Sequence, residues 1–178
     1  EHNIQNAMAA MLAARHVGVT LEHSAKALET FQGVKRRMQY LATVKGVAVY
    51  DDFAHHPTAI KTTLEGLRRR VGSEKIIALI EPRSNTMRMG IHKDTLLDSA
   101  EIADQVIWAD LSDLSWLDAQ ISDGNKKHHL GETVESIIAQ TIALASDDEP
   151  VHVVIMSNGG FGGIHQKLLS SLKTQRQV

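Results

Sequence analysis

Three largely apolar runs limit most strongly what this chain can fold into. They are KIIALI at 75–80, QVIWA at 105–109 and VHVVIM at 151–156. Because the runs do not alternate apolar with polar residues, each predicts a strand that is buried on both faces. Strands of this kind occur almost only in parallel sheets that are covered by helices on both sides.

Segments with helical periodicity separate these runs. The first begins at Pro57, a favourable residue for a first helical turn, and ends at Gly72. Further helices are predicted for 93–104, 133–146 and 162–173, whereas 110–131 is polar and is expected to be a connection with one short strand. This alternation predicts an α/β fold, a Rossmann-like, mostly parallel sheet with helices on both faces.

The first third of the chain follows a different pattern. Apolar residues from Ile4 to Leu12 predict an amphipathic helix that ends at Gly18, and a second short helix ends at Gly33. Residues 36–53 then predict an antiparallel hairpin that turns at Lys45 and Gly46. Since residue 1 is a glutamate inside a helical pattern, we expect the chain to be part of a longer protein.

Composition excludes several classes of protein. The chain has 178 residues, 43% of them hydrophobic, which is enough for one sizeable domain with a smaller appendage. A net charge of −2 gives no indication of a nucleic-acid partner or of an anionic membrane partner. No apolar run is long enough to span a membrane. The absence of cysteine excludes disulfides and thiolate metal sites.

Unusual polar segments follow three of the predicted strands. They are DDFAHHP at 51–57, EPRSNTMRMG at 81–90 and SNGGFGG at 157–163. Ligands in open α/β sheets bind beyond the carboxyl ends of the strands, so we expect the three loops to meet at one edge and form a site.

The two acids of the first loop cannot share a ligand easily. Asp51 and Asp52 are adjacent on a strand, so their side chains point to opposite faces. One aspartate could accept hydrogen bonds from a pair of vicinal hydroxyls. Alternatively, both could cap the following helix, whose dipole favours negative charge.

The histidine pairs leave a second question open. His55 and His56 could hold a metal, as in a metal-dependent phosphoesterase that also uses Asp52, or could orient loops and bind a substrate carboxylate. His128 and His129 lie in the polar connection, where we expect solvent exposure.

The other two loops suit an anionic ligand. Arg83 follows a buried strand directly, and its planar guanidinium can donate two parallel hydrogen bonds to a carboxylate or phosphate. The glycines of 157–163 allow the backbone to approach a ligand closely, but their spacing is neither a dinucleotide fingerprint nor a phosphate loop.

Ordered motifs resemble a known family. EHNIQNAMAA, FQGVKRRMQ and DDFAHHPT are similar, in order and spacing, to motifs of the Mur ligases, ATP-dependent enzymes that build the peptide of bacterial cell-wall precursors. The resemblance implies that residues 1–32 are the C-terminal helices of a central ATP-binding domain. It implies that 33–178 form the family's C-terminal Rossmann-like domain, with a hinge near Gly33.

The resemblance also assigns residues to ligands. For the nucleotide it implies His2, Asn3 and Asn6 at the adenine, Arg37 near the phosphates and Asp52 at the ribose. For the incoming amino acid or peptide it implies Arg83, Ser84, Asn85, Ser157, Asn158 and Gly159, with His55 near the junction of the two substrates. The magnesium ligands of the family precede residue 1, so no metal ligand or catalytic residue is expected in this chain, which should be inactive alone.

Within the family, DDFAHHPTAI, EPRSNTMRMG and SNGGFGGIH resemble one group most. Its members join UDP-N-acetylmuramate to L-alanyl-γ-D-glutamyl-meso-diaminopimelate, the murein tripeptide, in peptidoglycan recycling in the cytoplasm. The alternative within the family is the group that joins UDP-N-acetylmuramate to L-alanine. That group typically has His-Arg-Tyr where this chain has RSN.

Overall fold

The computed structural model describes residues 2–31, 33–111, 114–121, 126–145 and 149–175. The chain divides into two compact units, Glu1–Val34 and Lys35–Val178. The boundary predicted between residues 32 and 33 lies two residues before this division. None of the described helices is long and apolar enough to cross a membrane.

The first unit contains two helices, α1 (His2–His16) and α2 (Leu21–Glu29). The helix predicted for the first residues is present, but its apolar stripe is exposed in this chain: Ile4, Met8 and Leu12 are 65%, 58% and 61% accessible. Thr20 is the N-cap of α2, and its side chain accepts a hydrogen bond from the backbone N–H of His23.

The second unit is built on one six-stranded sheet. Its strands are β1 (Gln39–Val44), β2 (Val47–Asp52), β3 (Lys75–Ile80), β4 (Gln105–Ala109), β5 (His128–Gly131) and β6 (Val151–Met156). They lie in the order β1-β2-β6-β3-β4-β5, and only β1 and β2 are antiparallel. The predicted hairpin is confirmed: Lys45 and Gly46 both have positive φ, as its tight turn requires.

Helices cover both faces of this sheet, as predicted. On one face lie α3 (Pro57–Val71), α4 (Asn85–Arg88), α5 (Lys93–Ser99) and α6 (Ser115–Ile121). On the other lie α7 (Val134–Leu144) and α8 (Ile164–Gln175). Residues of the central strands contribute alternately to the two cores, for example Ile76 to the first and Ile77 to the second. This alternation explains why apolar residues predominate at successive positions of those strands.

Two expectations for the connection after β4 are corrected. Helix α6 was not predicted, because seven residues with three polar side chains give little periodicity. The expected exposure of His128 is wrong, because His128 lies in β5 with its side chain fully buried. Its Nδ1 accepts a hydrogen bond of 2.9 Å from Trp108 Nε1, and its Nε2 lies 2.9 Å from Glu101 Oε1.

The pKa values of two ionisable groups near β5 are lowered by their surroundings. A hydrogen bond from Lys127 holds the pKa of Glu101 below its ordinary value. Burial lowers the pKa of His129, and the adjacent His128 lowers it further. The Nε2 atom of His129 lies 2.6 Å from Gln105 Oε1.

Candidate functional site

The three polar loops meet at one edge of the sheet, as the sequence predicted. Strands β2, β6 and β3 are adjacent and parallel, so their carboxyl ends lie side by side. Asp52 is opposite Met156, and Met156 is opposite Ile80. The residues that follow these positions therefore form one continuous rim.

Hydrogen bonds join the three loops. The backbone N–H of Glu81 donates to Met156 O at 3.0 Å, and that of Ser157 donates to Asp52 O at 3.2 Å. The Ser157 hydroxyl donates to the Glu81 carboxylate, and both residues are buried. Ser157 therefore holds the neighbouring loops together, and its hydroxyl is occupied by Glu81 and by the N–H of Gly159, at 2.8 Å.

The side chain of Asp52 is almost fully buried, at 3% accessibility. Its Oδ1 accepts hydrogen bonds from Ala54 N at 2.8 Å and from the Thr63 hydroxyl at 3.3 Å. Its Oδ2 accepts one from the described residues, from Met38 N at 2.7 Å. Since a carboxylate oxygen can accept two hydrogen bonds, Oδ2 retains capacity for one further donor.

The neighbouring Asp51 points to the opposite face, as strand alternation predicted. Its carboxylate lies between His165 on α8, with Nε2 3.0 Å from Oδ1, and Arg36, with Nε 3.3 Å from Oδ2. Neither aspartate is the side-chain cap of α3, because His56 accepts the hydrogen bond from Thr58 N. The capping alternative is therefore wrong for this structure.

Two adjacent arginines, Arg36 and Arg37, precede β1 and differ in exposure and in the contacts of their side chains. Arg37, which the family resemblance assigns to the nucleotide phosphates, is exposed and forms no ion pair with any described residue. Arg36, which was not singled out from the sequence, donates to Ser157 O at 2.6 Å and to Gly159 O at 2.9 Å. The sequence signal for Arg36 was only a basic residue ahead of a hairpin.

The histidines of the first loop make local contacts. His55 Nδ1 lies 2.9 Å from Phe53 O, and its ring contacts the Phe53 ring edge-on. The exposed His56 is the N-cap of α3 and contacts the ring of His92. In the described part of the chain, no group of three or more histidines or carboxylates could hold a metal ion. The phosphoesterase alternative, which needs Asp52, His55 and His56 together, receives no support.

The second loop brings Arg83 onto the glycine-rich loop. A Cβ placed on Gly159 would lie 2.1 Å from Arg83 Nη1, so the arginine side chain lies directly against this glycine. Ser84 is the N-cap of α4, and its hydroxyl accepts a hydrogen bond from Met87 N at 3.4 Å. Asn85 is the first residue of α4 and is exposed.

A pocket of about 260 Å³ opens beside Arg83. It is lined by Glu81, Pro82, Arg83, Arg88, Ala109, Leu111 and Leu114. Neither arginine forms an ion pair with a described residue, so the pocket is lined by two unpaired cationic residues and one acidic residue. Sequence reasoning left Arg88 unassigned and missed Leu111 and Leu114, because their segment gave no regular pattern.

Helix α6 begins directly after Leu114, a residue that lines the pocket. Leu114 N donates to Asp110 Oδ1 at 2.7 Å, which anchors the start of the helix. Trp116 Nε1 donates to Arg88 O at 3.2 Å and so ties α6 to α4. The pocket therefore has a charged wall from the β3 loop and an apolar wall from the β4 connection.

Asn158 contributes an unsatisfied polar atom to the third loop. Its Oδ1 is buried and has no hydrogen-bond partner among the described residues. A buried acceptor without a donor is costly, so such an atom is a candidate for a ligand donor.

The remaining predicted residues lie in the first unit. Asn3 and Asn6 are exposed on α1, and their separation of three residues places them on the same face of the helix. The side chain of His2 lies outside the described part of the chain.

Comparison with known proteins gives the family. Residues 36–159 match the family model described as "Mur ligase, glutamate ligase domain". The chain belongs to the Mur ligase family. It is 45% identical, over its whole length, to the UDP-N-acetylmuramate–L-alanyl-γ-D-glutamyl-meso-2,6-diaminoheptandioate ligase of Escherichia coli K12, of which it covers 39%.

Two further Mur ligases are similar to this chain over part of their length. A murein peptide ligase structure from Psychrobacter arcticus 273-4 superposes with a TM-score of 0.75 at 42% identity, covering 99% of this chain and 38% of that one. The UDP-N-acetylmuramate–L-alanine ligase of Gloeothece citriformis is 31% identical over 72% of this chain and 28% of its own length. The chain thus spans about two fifths of the length of the Escherichia coli and Psychrobacter arcticus ligases.

Proposed function

We propose that this chain is the C-terminal part of an ATP-dependent ligase that joins UDP-N-acetylmuramate to L-alanyl-γ-D-glutamyl-meso-diaminopimelate. The observation that carries the proposal is the pocket beside Arg83, which two arginines and Glu81 line. The acceptor peptide has carboxylates and a free amine at its diaminopimelate end, so its charges complement those of the pocket. The identity of 45% to a ligase with this substrate supports the choice.

The chain's share of the chemistry is to hold the acceptor. ATP would phosphorylate the muramate carboxylate and leave as ADP, and the peptide amine would attack the resulting acyl phosphate and release inorganic phosphate. Magnesium would be bound mainly by residues outside this chain. Arg83 and Arg88 would bind peptide carboxylates, and the unpaired Oδ1 of Asn158 would accept a hydrogen bond from a peptide N–H. The three loops at the carboxyl ends of β2, β3 and β6 would keep water away from the acyl phosphate.

Nucleotide contacts complete the proposal. Arg37 is exposed and unpaired among the described residues, which suits a phosphate partner. Asp52 would use the remaining capacity of Oδ2 for a ribose hydroxyl, and His2, Asn3 and Asn6 would bind the adenine. The exposed apolar side chains of α1 would pack against the rest of a central domain. We place this reaction in the cytoplasm, in peptidoglycan recycling.

The test is a steady-state assay of the complete ligase with each substrate varied in turn. Wild-type enzyme should release ADP with UDP-N-acetylmuramate and the tripeptide, and much less with L-alanine as acceptor. Preference for L-alanine would overturn the substrate assignment and favour the other group of Mur ligases.

Two variants separate the assigned roles. Asp52→Ala should raise the KM for ATP with little change for the tripeptide, and Arg83→Ala should do the reverse. Because Asp52 also accepts three internal hydrogen bonds, melting temperatures must confirm that each variant is folded at the assay temperature. Arg69→Ala, an exposed arginine on α3, is the matched control. Equal effects of both variants on both substrates would contradict the residue roles.

A further inference from the structure

The guanidinium of Arg36 fixes the loop that follows β6. Its Nη2 donates to Ser157 O at 2.6 Å and to Gly159 O at 2.9 Å. Two carbonyl groups that flank Asn158 are therefore held by one cationic donor. Charge-assisted hydrogen bonds of this kind are short and stronger than neutral ones.

Arg36 is itself held in place from several sides. Its Nε lies 3.3 Å from Asp51 Oδ2, and Asp51 is bound in turn by His165. The guanidinium carbon lies 5.1 Å from the centre of the Phe53 ring. The Asp51 side chain is only 11% accessible, so solvent screens this ion pair less than a pair on the open surface.

The loop that Arg36 holds supports Arg83. Gly159 accepts a hydrogen bond from Arg36 through its carbonyl oxygen, and its Cα side lies against the Arg83 side chain. A displacement of Gly159 therefore changes the position available to Arg83, which lines the pocket with Glu81 and Arg88. A continuous series of contacts thus runs from His165 through Asp51 and Arg36 to the pocket.

We propose that Arg36 is a positioning residue for the acceptor pocket: it sets the backbone of Ser157–Gly159 and, through Gly159, the guanidinium of Arg83. The proposal rests on the proposed function, since it assumes that the pocket binds the acceptor peptide. Arg36 acts through the loop and need not touch a substrate.

The backbone around Arg36 is anchored separately from its side chain. Phe53 N donates to Arg36 O at 2.8 Å, and Met38 N donates to Asp52. These bonds remain when the side chain is replaced, so the exposed Arg37 keeps its place. A substitution of Arg36 should therefore affect the acceptor far more than the nucleotide.

The first arm of the test follows the loop directly, without any assay of activity. Amide hydrogen exchange of residues 157–160 is measured in the 178-residue chain for wild type, Arg36→Gln and Arg36→Lys. We expect exchange at Gly159 to become about tenfold faster in Arg36→Gln. Arg36→Lys should give an intermediate value, because an ammonium reaches fewer of these acceptors in fixed geometry. Lys35→Gln, at an exposed neighbouring position, should match wild type.

The second arm uses the complete ligase. Arg36→Gln should raise the KM for the tripeptide about tenfold and leave the KM for ATP within about twofold, with partial recovery in Arg36→Lys. Unchanged exchange at 157–160 would overturn the inference whatever the enzyme does. Faster exchange with an unchanged KM for the tripeptide would also overturn it.

The two arms distinguish the inference from the proposed function. If wild-type ligase does not use the tripeptide, the proposed function fails, and the exchange data still decide whether Arg36 holds the loop. If Arg36→Gln lowers kcat and raises both KM values together while the chain melts earlier, the role is structural and the inference fails.

Discussion

The guanidinium of Arg83 lies against Gly159, so closely that a Cβ at position 159 would come within 2.1 Å of Nη1. The two residues belong to loops that follow β3 and β6, which are adjacent in the sheet and distant in the chain. The absence of a side chain at position 159 therefore allows the Arg83 guanidinium to lie where it does, beside the pocket.

Gly159→Ala in the complete ligase tests this contact. The added methyl group must displace the Arg83 side chain, so we expect the KM for the tripeptide to rise about tenfold with the KM for ATP little changed. The matched control is Gly160→Ala, where a Cβ meets nothing within 4 Å and φ is −84°. Equal kinetics for the two variants would contradict the contact.

Arg88→Gln tests the pocket residue that the sequence left unassigned. Glutamine has the reach for one hydrogen bond but lacks the charge and the planar fork, so tripeptide binding should weaken about tenfold. Its KM is measured in the complete ligase, with Arg69→Gln as the control. An unchanged KM would exclude Arg88 from acceptor binding.

Trp108→Phe tests the buried interaction of β4 with β5. The substitution removes the donor to His128 Nδ1 and leaves a buried acceptor unpaired, which should lower the free energy of unfolding by about 2 kcal/mol. Urea unfolding of the 178-residue chain, followed by circular dichroism, measures the change. Trp116→Phe, at a half-buried position, should cost less than about 1 kcal/mol. The reverse order would contradict the buried role of His128.

The lowered pKa of His129 predicts how the free energy of unfolding depends on pH. Burial lowers the pKa of its imidazole in the folded chain, so the unfolded chain binds this proton more readily. The free energy of unfolding should therefore fall as the pH drops through about 6.5, the ordinary histidine pKa, and continue to fall until the pH reaches the lowered pKa.

The measurement compares wild type with His129→Gln by urea unfolding between about pH 8 and pH 5. The variant lacks the imidazole, so it also lacks the decrease in the free energy of unfolding that His129 causes at low pH. The free energy of unfolding of wild type relative to the variant should therefore decrease towards low pH. A difference that is independent of pH would show that burial of His129 does not affect its titration.

Much of the fold could be predicted from the sequence because its signals are local. The apolar runs of β3, β4 and β6, the glycine at the hairpin turn and the Pro57 start of α3 each depend on neighbouring residues only. The same holds for the opposite orientations of Asp51 and Asp52, which follow from strand geometry. Helix α6 was missed because seven residues carry too weak a periodic signal.

The candidate site could be predicted only in outline. Parallel strands bring their carboxyl ends to one edge, so the meeting of the three loops followed from the sequence, and with it the neighbourhood of Asp52, Arg83 and Asn158. Which atoms pair there did not follow. Arg36 and Arg37 are indistinguishable in a sequence, but only Arg36 reaches the carbonyl groups of Ser157 and Gly159.

The sequence by itself determined the layered parallel sheet and the edge at which a ligand can bind, because both depend on periodicities of two and of 3.6 residues. Only the tertiary structure decided that His128 is buried, that α6 is bonded to α4 beside the pocket and that Arg36 holds the loop beside Arg83. Those features arise from contacts between residues 20 to 123 positions apart, and no local pattern encodes which distant partner a side chain meets.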